Sequence, residues 1–160
     1  MTRVLALDPS SIFGFCHGDH DWDAKDPNYA PVHGCFRLPK VSPSKRAVAL
    51  ERWLIELIRL NGIQRVYQEK PIIPQKTSFD AIVTLAGYAF AAGMACEKEG
   101  VPFFLVDMQT WRSEFGSITQ APRKQKGTGH VYTSTERRAL VKQSCVTRCK
   151  ALGFEPKDDN

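Results

Sequence analysis

The sequence lacks the usual features of secreted, disulfide-bonded and membrane-spanning proteins. Its 160 residues include five cysteines, an odd number with no Cys-x-x-Cys pair, which argues against a disulfide scaffold and a zinc knuckle. No signal-peptide pattern is present, and no charge-free apolar run reaches the roughly 18 residues that a transmembrane helix needs. These absences predict a soluble protein of the reducing cytoplasm that does not associate with membranes.

A nucleotide-binding pattern is also missing. The chain has no Gly-rich phosphate-binding loop. Actin-like ATPases also open with an acid-ended hairpin, but their fold repeats the unit in a second domain, for which 160 residues leave no room. We therefore predict a single domain over residues 1–160 and disfavour a nucleotide-binding module.

Negative charge is scarce in the C-terminal third of a chain whose formal net charge is +5 and whose pI is about 9.0. Between residues 112 and 150 only two acids accompany nine basic residues, which are Arg112, Arg123, Lys124, Lys126, Arg137, Arg138, Lys142, Arg148 and Lys150. Such a concentration is typical of a surface that binds a polyanion. The alternative is a solvated Lys/Arg-rich surface without a partner.

Two acids each follow a short apolar stretch and precede a proline or a lysine-proline pair. Residues 4–8 read as a buried strand that ends at Asp8, and residues 63–68 read as a strand followed by Glu69. Taken alone, Asp8 is as well explained as a turn former ahead of Pro9. The second acid in the same kind of position favours a shared site.

The remaining patterns predict alternating strands and amphipathic helices. We expect further strands at residues 12–16, 33–38 and 101–106, and helices over residues 42–61, 78–99 and 133–152. The strand-helix-strand order implies that the strand before Glu69 runs parallel to a neighbour. If that neighbour is the first strand, Asp8 and Glu69 emerge at one edge of an α/β sheet.

Four polar or exposed segments leave alternatives open. Ile72 and Ile73 stand between prolines beside Lys76, and they suit packing on the next helix as well as an apolar wedge that enters distorted nucleic acid. The histidines and aspartates of residues 17–28 fit a solvated loop better than a metal site. Residues 116–133, with Arg123, Lys124 and Lys126, read as a mobile basic loop. The acids after Pro156 form a free tail or open a helix.

Paired acids beside a basic surface suit metal-dependent phosphate chemistry. Crowded carboxylates repel one another unless a cation compensates them, and hard oxygen ligands favour Mg²⁺, for which Mn²⁺ can substitute. In a two-metal site, one ion activates water and the other stabilises the leaving oxygen of an in-line displacement. The reaction that we infer is phosphodiester hydrolysis.

The ordered set of Leu7-Asp8-Pro9-Ser10, Gln68-Glu69-Lys70 and the helix-strand run over residues 80–106 resembles RuvC-type Holliday junction resolvases of the ribonuclease H-like superfamily. The bacteriophage and prophage variants are the most similar, because of Glu69-Lys70-Pro71, Trp111-Arg112 and the ending over residues 152–160. The resemblance implies an α/β, ribonuclease H-like fold with a mixed five-stranded sheet flanked by helices.

This resemblance also implies a function. It implies a Mg²⁺-dependent homodimeric endonuclease of bacterial or phage-infected cells that resolves four-way DNA junctions by paired symmetric nicks. Asp8 and Glu69 match metal ligands of the family, and further ligands open a C-terminal helix that Asp158 and Asp159 would begin, although the sequence ends at Asn160 before such a helix could form. Arg112, Arg138 and Lys142 fall near positions that approach the scissile phosphate, with Lys142 among the catalytic residues, and Ile72 or Ile73 would probe the junction centre.

Two other readings remain open from the sequence. The first is a nuclease of the same fold that acts on RNA, flaps or forks. The second is a non-catalytic nucleic-acid-binding module, which an incomplete set of acids would favour.

Overall fold

The computed structural model describes residues 2–10, 12–20, 31–71, 78–107, 109–110 and 121–151. Five strands form one mixed sheet in the order β3-β2-β1-β4-β5, with the bounds β1 Arg3–Asp8, β2 Ile12–Asp19, β3 Val32–Arg37, β4 Arg65–Glu69 and β5 Phe103–Val106. The first three strands are antiparallel, and β4 and β5 continue the sheet in parallel with β1. The predicted α/β fold with a mixed five-stranded sheet is confirmed.

One helix precedes each of the strands β4 and β5. Helix α1, Pro43–Asn61, begins after Ser42 with proline in its first turn and ends at Gly62, whose left-handed backbone (φ 59°) suits glycine. Helix α2, Phe79–Lys98, begins at Ser78, whose hydroxyl accepts a hydrogen bond from the Ala81 N–H. Both positions agree with the sequence prediction.

The core lies between one face of the sheet and these two helices. Its sheet residues are Leu5, Leu7, Phe13 and Val66, and α1 contributes Leu50, Leu54 and Ile58 at four-residue spacing. The Phe13 ring meets Trp53 of α1 at 6.4 Å and Tyr88 of α2 at 5.9 Å. Since strand residues alternate between faces, the neighbours of these core residues in sequence project from the other face of the sheet.

The N-terminal hairpin is longer than its sequence pattern indicates. Residues 17–19 were expected in a solvated loop, but they belong to β2, where His17 and Asp19 are buried and Asp19 lies 3.7 Å from the Arg3 guanidinium. That part of the loop prediction is wrong, because pairing with β1 and the ion pair to Arg3 compensate polar residues that composition alone assigns to solvent. Residues 21–28 lie outside the described part of the chain.

The chain divides into two compact units, Met1–Val106 and Asp107–Asn160. The sheet, α1 and α2 make up the first unit. The described part of the second consists chiefly of residues 121–133 and helix α3, Ser134–Ala151, which begins and ends close to its predicted bounds. The prediction of one domain over residues 1–160 stays a prediction.

Candidate active site

Asp8 and Glu69 end two neighbouring parallel strands. The register of β1 and β4 sets Leu7 opposite Gln68, so the next residue of each strand, Asp8 and Glu69, stands at the same carboxyl end. Leu7 and Gln68 are buried on the helix-covered face. Both carboxylates therefore project from the opposite face, side by side at one edge of the sheet.

A glycine on the adjacent strand makes room for Asp8. Gly14 is the register partner of Asp8, and a Cβ placed on it would lie 3.4 Å from the Asp8 Cβ and 3.9 Å from Oδ2. A larger side chain at position 14 would therefore fill the space beside the carboxylate. Partial desolvation raises the pKa of Asp8 above its ordinary value, although the residue keeps contact with solvent. A cation bound to the carboxylate would offset this cost, because it favours the ionised form.

Glu69 is fixed by backbone pairing on its other side. Its register partner is Val106 at the end of β5, and the Lys70 N–H donates a hydrogen bond of 2.8 Å to the Val106 carbonyl. Glu69 itself is half-buried. The strand end that bears the second carboxylate is thus part of the sheet rather than of a loop, which limits its movement relative to Asp8.

Behind this edge, the core contains an unusual polar group. Gln68 is 1% exposed, and neither its side-chain oxygen nor its nitrogen has a hydrogen-bond partner among the residues that the structure describes. Its strand neighbours in register are Leu7 and Leu105. A buried amide without partners costs free energy, so Gln68 is a polar residue where packing alone would favour an apolar one.

The two carboxylates suit a hard divalent cation such as Mg²⁺, which is bound in proteins through one or two carboxylates together with water and phosphate oxygens. In the described residues, no group of three or more His, Cys, Asp or Glu side chains could hold a metal ion. The described site thus brings together two carboxylates, those of Asp8 and Glu69. The predicted ligands Asp158 and Asp159 lie outside the described residues.

The second unit carries a basic turn, which we define as residues 121–133. Lys124 and Val131 form an isolated antiparallel bridge. On either side of it, Tyr132 N–H donates to the Arg123 carbonyl at 2.9 Å and Gln125 N–H donates to the His130 carbonyl at 2.8 Å. This part of the expected mobile loop is therefore a hydrogen-bonded turn. Arg123, Lys124 and Lys126 are all exposed on it.

Glycines shape the tip of the basic turn, and a capping box fixes its end. Gly127 and Gly129 have φ angles of 91° and 70°, which only glycine adopts readily. Thr133 N–H donates to Glu136 Oε2 at 2.7 Å, and Glu136 N–H donates to Thr133 Oγ1 at 3.2 Å. This reciprocal pair starts α3, and the hydrogen bonds that the Thr133 N–H and hydroxyl donate to the carboxylate lower the pKa of Glu136. The turn is thereby anchored to a helix.

Helix α3 adds further positive charge to the second unit. Arg138 and Lys142 are exposed and four residues apart, so they lie on the same side of the helix as predicted. Arg137 donates from Nε to the Ala121 carbonyl at 3.2 Å and so joins the helix to the start of the basic turn. The described residues 121–151 contain eight Lys and Arg residues and one acid.

The described structure covers only some of the predicted site residues. Asp8 and Glu69 are brought together, whereas Arg123, Lys124, Lys126, Arg138 and Lys142 belong to the basic second unit. The other predicted residues lie outside the described part of the chain, and they are Ile72, Ile73, Lys76, Arg112, Asp158 and Asp159.

Sequence reasoning did not single out Gly14 or Gln68. A glycine inside an otherwise apolar strand often marks a close approach of other groups, and Gly14 carried that signal. Gln68 stands in an apolar strand directly before Glu69, but the sequence does not show to which face it points.

Comparison with solved structures identifies the fold. Thermus thermophilus RuvC matches with a TM-score of 0.60 and 13% identity, over 98% of this chain and 85% of RuvC. The same protein in complex with a Holliday junction substrate matches with a TM-score of 0.68 and 13% identity, over 100% and 85%. The yeast mitochondrial Holliday junction resolvase Ydc2 has a TM-score of 0.51 and 13% identity, over 72% of this chain and 54% of Ydc2.

The sequence itself gives no such match. No protein-family model matches it, and no curated protein matches it significantly. The similarity is therefore one of three-dimensional structure, and it covers the sheet whose edge carries Asp8 and Glu69. The chain has the ribonuclease H-like fold of the RuvC-type Holliday junction resolvases.

Proposed function

We propose that this protein is a Mg²⁺-dependent, structure-selective endonuclease that resolves four-way DNA junctions by paired symmetric nicks, acting as a homodimer. The observation that carries the proposal is the parallel register of β1 and β4, which places Asp8 and Glu69 side by side on one face of the sheet. Two neighbouring carboxylates outside the core repel each other, which destabilises the fold. A cation bound between them would compensate this repulsion.

The residues present fit this cation. Asp8 and Glu69 would hold Mg²⁺ through carboxylate oxygens, with Asp158 and Asp159 proposed as additional ligands. When bound, Mg²⁺ lowers the pKa of water that attacks a phosphodiester and neutralises charge that develops on phosphate oxygens. The space beside Gly14 leaves Asp8 accessible from the exposed face of the sheet.

The chain's own contribution is orientation of the two acids and attraction of the substrate. Glu69 is held in place by the pairing of β4 with both β1 and β5, and Asp8 by its pairing with Gly14 of β2 at the end of β1. We propose that Lys142 acts near the scissile phosphate, with Arg138 beside it on α3 and Arg112 contributing to phosphate binding. Ile72, Ile73 and Lys76 would contact the junction centre from the loop after Glu69.

The basic turn supplies a second surface for DNA. Lys124 and Lys126 extend from a turn whose glycine-shaped tip lets the backbone approach phosphate closely. A two-stranded ribbon of this kind fits a duplex groove, and its positive charge adds sequence-independent affinity. The complex of T. thermophilus RuvC with a Holliday junction substrate supports branched DNA as the ligand of this fold.

Cleavage and binding assays on a synthetic four-way junction test the proposal. We expect Asp8→Asn and Glu69→Gln each to lower the cleavage rate in Mg²⁺ by at least about 100-fold while junction binding stays within about threefold, because phosphate contacts remain. Glu56→Gln, which changes an exposed carboxylate of α1, is the matched control and should cleave normally.

The outcomes separate the proposal from its rivals. Full cleavage by either site variant would contradict the metal site. Equal cleavage of junction, fork and RNA substrates by the unaltered protein would instead indicate a nuclease without junction selectivity. Tight junction binding with no cleavage in Mg²⁺ or Mn²⁺ would indicate a binding module.

A further inference from the structure

The basic turn has two faces, which its backbone pairing defines. Lys124 and Val131 form the isolated bridge, so their side chains project from one face of the two-stranded turn. The residues hydrogen-bonded on either side of this bridge project from the other face, which we call the polar face; they are Arg123, Gln125, His130 and Tyr132. The ring centroids of His130 and Tyr132 lie 5.3 Å apart, which agrees with this assignment.

The polar face suits hydrogen bonding to a partner more than neutralisation of its charge. It carries donors and acceptors but no acid, and Gln125 is exposed on it. A neutral glutamine adds nothing to the electrostatic attraction of phosphate. If Gln125 takes part in binding, it does so through the hydrogen bonds of its amide.

Gln125 differs from a freely solvated glutamine because its amide is held by the tip of the turn. The Thr128 hydroxyl donates a hydrogen bond of 3.0 Å to Gln125 Oε1, and the His130 N–H donates to Thr128 Oγ1 at 3.4 Å. Among the described residues, the two Nε2 donors of Gln125 have no partner. They are therefore available to a ligand, and part of the entropic cost of ordering the side chain is already met.

The other strand of the polar face is ordered as well. His130 Nε2 lies 3.4 Å from Oε1 of Glu136, the acid of the capping box. The His130 ring also meets the Tyr132 ring edge-to-face, at an interplanar angle of 87°. Side chains that are fixed before binding can discriminate between similar ligands, because a mismatched ligand is not accommodated by rearrangement.

The groove that admits a two-stranded ribbon is the major groove of B-DNA, which is about 12 Å wide. There adenine presents its N7 acceptor beside its N6 donor, and a glutamine amide matches both through Nε2 and Oε1. The Thr128 hydrogen bond does not prevent this pairing, since an amide oxygen has two lone pairs. The amide of Gln125 thus suits adenine among the four bases.

RNA and single strands fit the polar face less well. The major groove of an A-form duplex is too deep and narrow for side chains to read. Proteins that bind single strands offer aromatic faces on which bases stack, whereas Tyr132 is half-buried and in contact with His130. These observations favour duplex DNA.

We propose that the polar face of the basic turn reads base edges in the major groove of duplex DNA and selects adenine. Gln125 makes the base contact, and Thr128 is the positioning residue that holds its amide. This inference rests on the proposed function only in that DNA is the ligand. It adds a sequence preference in binding to an activity that was proposed from the shape of the substrate alone.

A binding selection on four-way junctions with randomised arms tests the inference, with the full chain in EDTA so that no metal-dependent cleavage occurs. We expect one arm position to become enriched in adenine, and its replacement by another base to weaken binding by about 5- to 100-fold. Gln125→Ala should remove the enrichment. Gln125→Glu should replace it with cytosine, because a carboxylate accepts from the cytosine N4 amino group.

The matched control is Lys126→Ala, which removes an exposed cation of the same turn. It should weaken binding to all sequences alike and leave the base preference unchanged. Thr128→Val should reduce the preference for adenine by about threefold without changing the affinity for other arms, and Thr128→Ser should restore it, because serine retains the hydroxyl.

A modified base tests the same contact without altering the protein. Junctions that carry 7-deazaadenine at the selected position lack the N7 acceptor but still form the base pair. We expect the unaltered protein to bind them at least about fivefold more weakly than junctions with adenine.

Several results would overturn the inference. These are a selected pool without base preference, a preference that Gln125→Ala retains, equal affinity for adenine and 7-deazaadenine, or tighter binding to an RNA duplex. Cleavage of the same junctions in Mg²⁺ is measured separately. Selective binding without cleavage would contradict only the proposed nuclease, and cleavage with uniform binding would contradict only this inference.

Discussion

Replacing the buried amide of Gln68 should stabilise the protein. Both polar atoms of this side chain lack a described partner, and the residue is 1% exposed. Leaving a buried polar group unsatisfied costs about 1–3 kcal/mol, and methionine has nearly the same volume and shape. Gln68→Met should therefore raise the free energy of unfolding by about 2 kcal/mol. For a chain of this length, that corresponds to a rise in Tm of roughly 4–8 °C.

Thermal unfolding followed by circular dichroism at pH 7 in EDTA measures this effect. Gln143→Met is the matched control, because Gln143 is exposed on α3 and its replacement should change stability by less than about 0.5 kcal/mol. A fall in the Tm of Gln68→Met would refute the reasoning, since it would mean that the amide makes favourable polar contacts. If Gln68 instead supports the position of Glu69, the stabilised variant will cleave more slowly than the unaltered protein.

The other predictions concern pH and salt. Desolvation raises the pKa of Asp8 from its ordinary value of 3.8, so the metal-free protein should lose stability as the pH rises from that value through the raised pKa. Asp8→Asn should abolish this loss and be more stable than the unaltered protein at pH 7. Urea unfolding at pH 4 and pH 7 measures both effects, and an equal pH dependence of the two proteins would contradict the shift. Replacing Arg123, Lys124 and Lys126 together with alanine should reduce the slope of log affinity against log salt for a junction by up to about 2.7. An unchanged slope would exclude the basic turn from the DNA surface.

Much of the sheet could be predicted because its signals are local. Short apolar runs ended by proline or glycine gave the strands, and Leu50, Leu54 and Ile58 recur at helical spacing. The step from local signals to a site required one rule of topology and the choice of a neighbour. The unit β3-α1-β4 predicts that β4 runs parallel to another strand of the sheet, and that strand is β1, as a shared site requires.

Features that depend on pairing between distant segments could not be predicted. His17 and Asp19 are polar and were assigned to a loop, yet β1 pairs with them and Arg3 compensates the acid. The closeness of Gly14 to Asp8 depends on the register of a hairpin, which the composition of its strands does not fix.

The basic turn and helix α2 illustrate the same limit. Glycine and lysine are common in mobile loops, so residues 121–133 looked unstructured, but Arg137 and the Thr133-Glu136 capping box hold the turn. The sequence of α2 does not show which of its apolar residues face the core. Only the structure shows that Phe79 and Phe90 are on the side of the helix that faces away from the core.

Anomalous diffraction from crystals grown with Mn²⁺ would test the central claim most directly, because it locates the cation without reference to activity. The account predicts an anomalous peak between Asp8 and Glu69, at about 2.0–2.3 Å from a carboxylate oxygen of each, on the face of the sheet opposite α1 and α2. A crystal saturated with Mn²⁺ that shows no peak at this edge, or carboxylates directed away from each other, would contradict it.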